Sequence, residues 1–110
     1  MNTPVPSPVA AYLAAERAKD TEMLGRCFGE AAVVRDEGRE HHGPAAIRAW
    51  HRDANAKYRY VLEPLDASAG GPGGVVVRAR VAGDFPGSPA VMRFNFTVSG
   101  DRIASLEVAP

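Results

Sequence analysis

Apolar residues near the N-terminus recur at the spacing of a helix. Val9, Tyr12 and Leu13 mark one face of an alanine-rich segment that ends near Lys19, and alanine is the strongest helix former. Three prolines precede this segment or open it, and proline resists helix beyond the first turn. We therefore predict an extended arm over residues 1–7 and a first helix directly after it.

A second, shorter helix follows. Asp20 is a typical N-cap residue, and the apolar positions after it repeat at i, i+3 and i+4: Met23, Leu24, Cys27 and Phe28. Gly29 can end this helix, because glycine readily adopts the left-handed backbone found at helix C-termini. The pattern predicts a helix between Asp20 and Gly29, with Cys27 as a small buried residue.

The next apolar pattern is a hairpin followed by a third helix. Residues 31–35 and 39–42 flank the tripeptide Asp36-Glu37-Gly38, a sequence that favours a tight turn between two strands. Gly43-Pro44 then begins a helix, because proline is suited to the first helical position. Its apolar stripe consists of Ile47, Trp50 and Ala54, and we expect the helix to end near Asn55.

The second half of the chain alternates apolar and polar residues, which is typical of strands. Four strands are predicted, and their apolar positions are Tyr58, Tyr60 and Leu62; Val75, Val77 and Val81; Met92, Phe94, Phe96 and Val98; and the apolar residues within 102–108. The glycine-rich segment 70–74 is expected to be a long, mobile connection. The predicted order ααββαββββ describes an α+β protein with one domain over residues 8–110.

Composition narrows the class of partner. The 110 residues include thirteen basic and thirteen acidic side chains, so no excess of positive charge favours nucleic acid or an anionic membrane. No apolar run approaches the roughly 18 to 20 residues of a membrane span, and we expect a cytoplasmic protein. The glycine-rich segment lacks the lysine and the following helix of a phosphate-binding loop, so no cofactor is expected.

The sulfur and imidazole side chains give little indication of a metal site. Cys27 is the single cysteine, which leaves no partner for an internal disulfide or a cysteine-based zinc site. His41 and His42 are neighbours on a strand and point to opposite faces, so they are poorly placed to share one ion. We expect His51 at the surface beside Trp50, and we predict no metal.

Four motifs carry a resemblance to a known family over residues 8–108. They are Tyr12 followed eight residues later by Asp20, the segment 31–36, the segment 43–50 and the closing segment 100–108. On these motifs the chain resembles the nuclear transport factor 2-like superfamily, particularly the SnoaL-like proteins and the ketosteroid isomerases. The resemblance implies a curved antiparallel sheet wrapped around three helices, a cone-shaped half-barrel with an internal pocket.

The resemblance also implies roles for single residues. Asp36 matches the isomerase aspartate that moves a proton next to a carbonyl, and Tyr12 matches the tyrosine that donates to the enolate oxygen. The second oxyanion donor of the isomerases, a protonated aspartate, has no counterpart within residues 91–98. Phe94 is the best match to its position, with Arg93 and Asn95 as the alternatives. Full ketosteroid isomerase activity is therefore not expected, since a lost donor costs roughly 3 to 4 kcal/mol.

The sequence is compatible with two functions. In the first, the protein binds a small hydrophobic molecule in the cone and acts as an isomerase or cyclase through Asp36. The pocket walls would then be Phe28, His41, Trp50, Met92, Phe94 and Phe96. In the second, the same pocket belongs to a non-catalytic binding or interaction module, and Asp36 is only a turn residue. The family resemblance implies a homodimer through the outer sheet face, with Arg93, Asn95 and Thr97 as candidate contacts.

Overall fold

Helices and strands follow one another in the predicted order ααββαββββ. The computed structural model describes residues 3–110. The elements are α1 (Ser7–Ala18), α2 (Thr21–Arg26), β1 (Phe28–Asp36), β2 (Arg39–His42), α3 (Gly43–Tyr58), β3 (Val61–Ala69), β4 (Gly74–Ala82), β5 (Ala90–Ser99) and β6 (Arg102–Ala109). The predicted α+β class is confirmed, and no helix in this part of the chain is long and apolar enough to cross a membrane.

The N-terminal arm is not helical from residue 3 to Pro6, but Ser7, its last predicted residue, already belongs to α1. Residues 1 and 2 of the predicted arm lie outside the described residues. Pro6 has an extended backbone, with φ −60° and ψ 153°, and the amide of Thr3 donates to the carbonyl of Ala67 at 2.8 Å. Helix α1 begins at Ser7 and ends with Lys19 in the left-handed region.

The second helix is shorter than its apolar pattern indicated. Asp20 is its N-cap, because its carboxylate accepts from the amide of Met23 at 3.0 Å. The prediction of helix as far as Phe28 is wrong, since α2 ends at Arg26 and Phe28 begins β1. The carbonyl of Cys27 accepts from the amide of Ile103 at 2.8 Å, so pairing with β6 replaces the last helical turn.

The third helix is longer than predicted. It continues through Ala56 and Lys57, both good helix formers, and ends only at Tyr58. The placement of Tyr58 in a strand was therefore wrong, and β3 begins at Val61. The glycine-rich connection is also shorter than expected, since four residues join β3 to β4 and the amide of Gly70 donates to the carbonyl of Gly74 at 3.1 Å.

The six strands form one curved, open sheet in the order β2-β1-β6-β5-β4-β3. The pairs β1–β2, β3–β4, β4–β5 and β5–β6 are antiparallel, as predicted, but β1 pairs with β6 in parallel. Register shifts interrupt the β1–β6, β3–β4 and β5–β6 pairings, and such bulges bend strands. The sheet therefore curls around the helices as the cone-shaped half-barrel predicted for the family.

The core lies between the concave face of the sheet and the helices. Tyr12 of α1 is fully buried, with edge-on ring contacts to Phe28 at 5.9 Å and Phe96 at 5.2 Å between centroids. These three rings fill the closed end of the cone. The other end remains open between α3 and the loop that joins β4 to β5.

Candidate functional site

A cavity of about 390 Å³ occupies the open part of the cone. It lies within the range of ligand pockets, roughly 300 to 1,000 Å³. Side chains from the helices, the sheet and the connecting loops contribute to it: Glu16, Asp36, Glu37, Trp50, Ala54, Tyr58, Tyr60, Val81, Phe85, Pro86, Met92, Phe94 and Val108. Most of this lining is apolar, and three of its members are carboxylates.

Four of the residues predicted for the site line this cavity: Asp36, Trp50, Met92 and Phe94. Of the three alternatives for the second oxyanion position, Phe94 is the one that lines the cavity. Arg93 and Asn95 point to the other face, where they donate to the carbonyls of Pro110 and Glu107 at 3.1 and 3.2 Å. An apolar ring therefore faces the cavity where a protonated carboxyl group would serve as a donor.

The other predicted residues are not part of the cavity lining. Phe28 and Phe96 belong to the closed core, and Tyr12 is 0% exposed between them. The hydroxyl of Tyr12 donates to Glu16 Oε2 at 2.7 Å, so it is not available to donate to a ligand. His41 lies beside the cavity wall, with its ring centroid 6.1 Å from that of Trp50.

Asp36 is placed by a two-residue hairpin turn. It is the last residue of β1, and the next two residues, Glu37 and Gly38, have φ values of 53° and 74°. Two successive left-handed residues are typical of a type I′ turn, which matches the twist of paired strands. The carboxylate does more than stabilise this turn, because its Oδ2 accepts from Trp50 Nε1 of α3 at 3.0 Å.

The environment of Asp36 makes its carboxyl group harder to ionise than that of a surface aspartate. Burial raises the pKa of Asp36 above its ordinary value, and the hydrogen bond from Trp50 opposes this effect. The negative charge of Glu37 raises the pKa further, while His41 lowers it. A half-buried carboxyl group with a raised pKa is a stronger base than an ordinary surface aspartate.

A second carboxylate, not predicted from the sequence, faces the cavity from α1. Glu16 is only 2% exposed, and three side chains donate to it. Tyr60 Oη and His51 Nε2 donate to Oε1 at 2.6 and 3.1 Å, and Tyr12 Oη donates to Oε2 at 2.7 Å. A buried ionised carboxylate needs such partners, so this cluster makes the charge of Glu16 tolerable.

His51 belongs to this buried cluster, and its predicted surface position is wrong. It is 0% exposed. Because its Nε2 donates to Glu16, its Nδ1 is left to interact with the hydroxyl of Thr21 at 2.9 Å. The imidazole thus connects α3 to both α1 and α2. A lone histidine next to a tryptophan gives no sequence signal for this role, since the partners lie 30 and 35 residues away.

The pKa values of the cluster agree with an ionised Glu16. Burial alone would raise the pKa of Glu16, but the hydrogen bonds from His51, Tyr60 and Tyr12 outweigh it and the pKa lies below its usual range. Burial and the adjacent Glu16 charge raise the pKa of Tyr12 and of Tyr60. Both phenols therefore remain protonated donors to Glu16 and are not bases.

The cavity mouth is formed by the end of α3 and the β4–β5 loop. Tyr58 Oη donates to Glu37 Oε2 at 2.9 Å, and the ring of Phe85 contacts the Tyr58 ring edge-on at 5.9 Å. The amide of Asp84 donates to the carbonyl of Tyr58 at 2.6 Å. These contacts hold the loop against the helix, so the mouth has a defined shape.

The histidine pair of the hairpin remains separated, as adjacent strand residues must be. His42 is exposed and bonded to Glu40 at 3.0 Å, while His41 faces Trp50. Within residues 3–110, no group of three or more His, Cys, Asp or Glu side chains is arranged to hold a metal ion.

Cys27 is buried and its thiol donates to the carbonyl of Met23 at 3.4 Å.

Comparisons with known proteins agree with this architecture. Residues 9–106 match the family model described as SnoaL-like domain. A candidate polyketide cyclase from Sinorhizobium meliloti is 41% identical, with a TM-score of 0.90 and coverage of 94% of each chain. No curated protein matches the chain significantly.

Two more distant structures share the fold. A protein from Catenulispora acidiphila with a ketosteroid isomerase-like fold, solved in complex with trimethylamine, is 22% identical. Its TM-score is 0.82, with coverage of 97% of this chain and 87% of that one. A nuclear transport factor 2-like protein of unknown function from Cytophaga hutchinsonii is 14% identical, with a TM-score of 0.74 and coverage of 98% and 92%.

Proposed function

The chain belongs to the SnoaL-like domain family, and from this premise we propose that it binds a small, mainly apolar carbonyl compound in the cavity. In the proposed reaction, Asp36 removes a proton from the carbon next to the carbonyl and returns it to another atom of the same molecule. The observation that carries the proposal is the Asp36 carboxylate at the cavity wall, with a pKa raised by burial and an orientation fixed by Trp50.

The arrangement suits proton transfer for a physical reason. A general base works best when its pKa is close to the pH of the medium, and burial raises the pKa of Asp36 in this direction. The bond from Trp50 directs Oδ2 of the carboxylate to α3 and so fixes the orientation of the group at the cavity wall. Met92, Phe94 and Val108 form an apolar wall within the same cavity, which would hold the hydrocarbon part of a substrate.

Stabilisation of the enolate is the weaker part of the site. The hydroxyls of Tyr12 and Tyr60 both donate to Glu16, and Phe94 replaces a carboxyl donor. We therefore propose a substrate whose carbanion is already stabilised by its own structure, such as a carbon between two carbonyl groups. The similarity to a candidate polyketide cyclase supports this choice, because polyketides carry carbonyls on alternate carbons.

The test is hydrogen–deuterium exchange at the carbon between the ring and the carbonyl of 2-tetralone, followed by NMR. We expect the wild-type protein to accelerate exchange and Asp36→Asn to lose about 100-fold or more of that rate, as for removal of a general base. Asp101→Asn is the matched control, since Asp101 is exposed in the β5–β6 turn. It should exchange like the wild type.

Equal rates for wild type and Asp36→Asn would overturn the catalytic proposal. If 2-tetralone then still raised the melting temperature of the protein, the non-catalytic binding module would be the better description of this cavity.

A further inference from the structure

The cavity offers hydrogen-bond acceptors and almost no free donors. Its charged side chains are Glu16, Asp36 and Glu37, and no lysine, arginine or histidine among residues 3–110 lines it. The donors in its lining are Trp50, Tyr58 and Tyr60, and each already donates to one of the three carboxylates. A ligand therefore meets carboxylate oxygens without competing cations.

The negative charge is concentrated near the mouth. Glu16 is satisfied by three donors, one of them an imidazole. Asp36 and Glu37, by contrast, accept from the neutral Trp50 indole and the neutral Tyr58 phenol. The two carboxylates also repel each other, since the charge of Glu37 raises the pKa of Asp36.

Cationic side chains near these carboxylates lie outside the lining. His41 acts on Asp36 from beside Trp50, and Lys57 Nζ lies 5.1 Å from the centroid of the Tyr58 ring. Lys19 Nζ lies 4.1 Å from the centroid of the Tyr60 ring. None of the three is a cavity-lining residue, so the space between the carboxylates is left for a cation brought by the ligand.

The walls around this space are aromatic. Five rings line the cavity: Trp50, Tyr58, Tyr60, Phe85 and Phe94. The face of an aromatic ring attracts organic cations, tryptophan most strongly, and rings combined with carboxylates are the usual environment for an alkylammonium group. Donation from the Trp50 N–H to Asp36 increases the electron density of the indole and strengthens this attraction.

We propose that the cavity selects a carbonyl compound that carries a tertiary or quaternary ammonium group and rejects carboxylates and phosphates. The ammonium lies between Asp36 and Glu37, against the rings of Trp50 and Tyr58. This inference rests on the proposed function and names the charge of its substrate. A fixed positive charge beside the carbonyl would also stabilise an enolate. It would therefore compensate for the missing oxyanion donor.

Three probes of similar size separate charge from shape. Phenacyltrimethylammonium is the cation, 3,3-dimethyl-1-phenylbutan-1-one has the same shape with carbon in place of nitrogen, and 4-oxo-4-phenylbutanoate is the anion. By isothermal titration calorimetry we expect the cation to bind at least about tenfold more tightly than the neutral isostere. The anion should show no measurable binding.

The outcomes distinguish the inference from the function on which it rests. Equal or tighter binding of the neutral isostere overturns the charge selectivity and leaves the proposed carbonyl site intact. Failure of all three probes to bind overturns both proposals.

Variants locate the effect within the cavity. Glu37→Gln removes a charge but keeps an oxygen that can accept from Tyr58, and it should weaken binding of the cation about fivefold without affecting the neutral isostere. Glu40→Gln is the matched control, because Glu40 is an exposed acid of the same hairpin outside the cavity. Equal losses in both variants would show only a general charge effect and would overturn the site.

Discussion

Asp36 and Glu16 face the same cavity, yet their pKa values are displaced in opposite directions. Asp36 is half-buried with few donors, and burial raises its pKa. Glu16 is more deeply buried, but three donors lower its pKa below the usual value. Burial therefore prevails at Asp36, whereas at Glu16 the hydrogen bonds from three side chains outweigh it. This difference has consequences for stability that can be measured.

For Asp36, stability should decrease as pH rises. Because its pKa in the folded protein lies above the unfolded value of about 3.8, the folded state binds the extra proton and is favoured at low pH. We expect the difference in unfolding free energy, wild type minus Asp36→Asn, to fall as pH rises from about 3 and to level off above the raised pKa. Urea denaturation across this range tests it, and an increase with pH would contradict the raised pKa.

For Glu16 the sign is reversed. Its stabilising effect should be present at neutral pH and lost as pH falls through its lowered pKa. Glu16→Gln should destabilise the protein at neutral pH by about 2 to 4 kcal/mol. The three side chains that donate to the carboxylate would then face a neutral amide. Urea denaturation of wild type and Glu16→Gln at neutral pH measures the loss of stability. The same measurement below the lowered pKa of Glu16 shows whether that loss disappears.

The same substitution at an exposed acid provides the control for Glu16. Glu107→Gln should change the unfolding free energy by less than about 0.5 kcal/mol. An equally small loss for Glu16→Gln would mean that the buried cluster contributes little to stability.

Residue-scale prediction succeeded where the signal was local. The position of Asp36, at the end of β1 and on the cavity wall, could be predicted because the turn sequence and the family motif surround it. Glu16 and His51 could not, because each is polar within an ordinary helical pattern and acquires its role only through contacts between distant helices. Tyr12 was placed on the correct helix, but the sequence does not show that Glu16, one turn later, takes its hydroxyl proton.

The junction at Gly83, between β4 and the loop to β5, has no room for a side chain. A Cβ added there would meet the carbonyl oxygen of Tyr58 at 2.6 Å and Tyr60 Cα at 2.9 Å. We expect Gly83→Ala to cost about 1 to 3 kcal/mol, because backbone must move. The displaced loop carries Phe85 and Pro86 at the cavity mouth, so binding of the phenacylammonium probe should weaken as well.

Gly29→Ala is the control for this substitution. Its added Cβ would meet Arg102 Cβ and the carbonyl oxygen of Ile103 at ordinary distances of 3.8 and 3.9 Å, so stability and ligand binding should change little. Thermal denaturation and calorimetry compare the two. A Gly83→Ala variant as stable as Gly29→Ala would contradict the tight junction.

At the scale of elements, the apolar pattern predicted every helix and strand but not all of their ends. Phe28 fits the helical spacing of α2, yet β6 recruits it into the sheet through a contact more than seventy residues away. Tyr58 fits strand alternation, yet the last turn of α3 includes it. In both cases a tertiary partner, which a local pattern cannot include, determines the end of the element.

For the whole molecule, we propose a homodimer through the outer face of the sheet. Arg93 and Thr97 lie on this face, and Val91 beside them is 47% exposed, which is unusual for a large apolar side chain in a strand. Sedimentation should give twice the 11.7 kDa mass of one chain. Val91→Arg should shift the protein to monomer. Ala10→Arg, on the exposed side of α1, is the control and should remain a dimer. A monomeric wild-type protein would contradict the proposal.

The overall architecture was predictable because it follows from the family motifs and the element order. The antiparallel pairs join strands that are close in the chain, and turn residues such as Gly100 indicate them directly. The parallel pair of β1 and β6 was not predicted, since its strands are separated by most of the domain and no local signal connects them.

That parallel pair determines when the domain can form during synthesis. Strand β6 lies between β1 and β5, so it joins the half built from the helices and the first hairpin to the half built from β3, β4 and β5. While the ribosome is still making residues 102–109, both halves have an unpaired edge where this strand will lie. The sheet therefore closes only once β6 has been made, and until then these two edges are exposed to unwanted strand pairing.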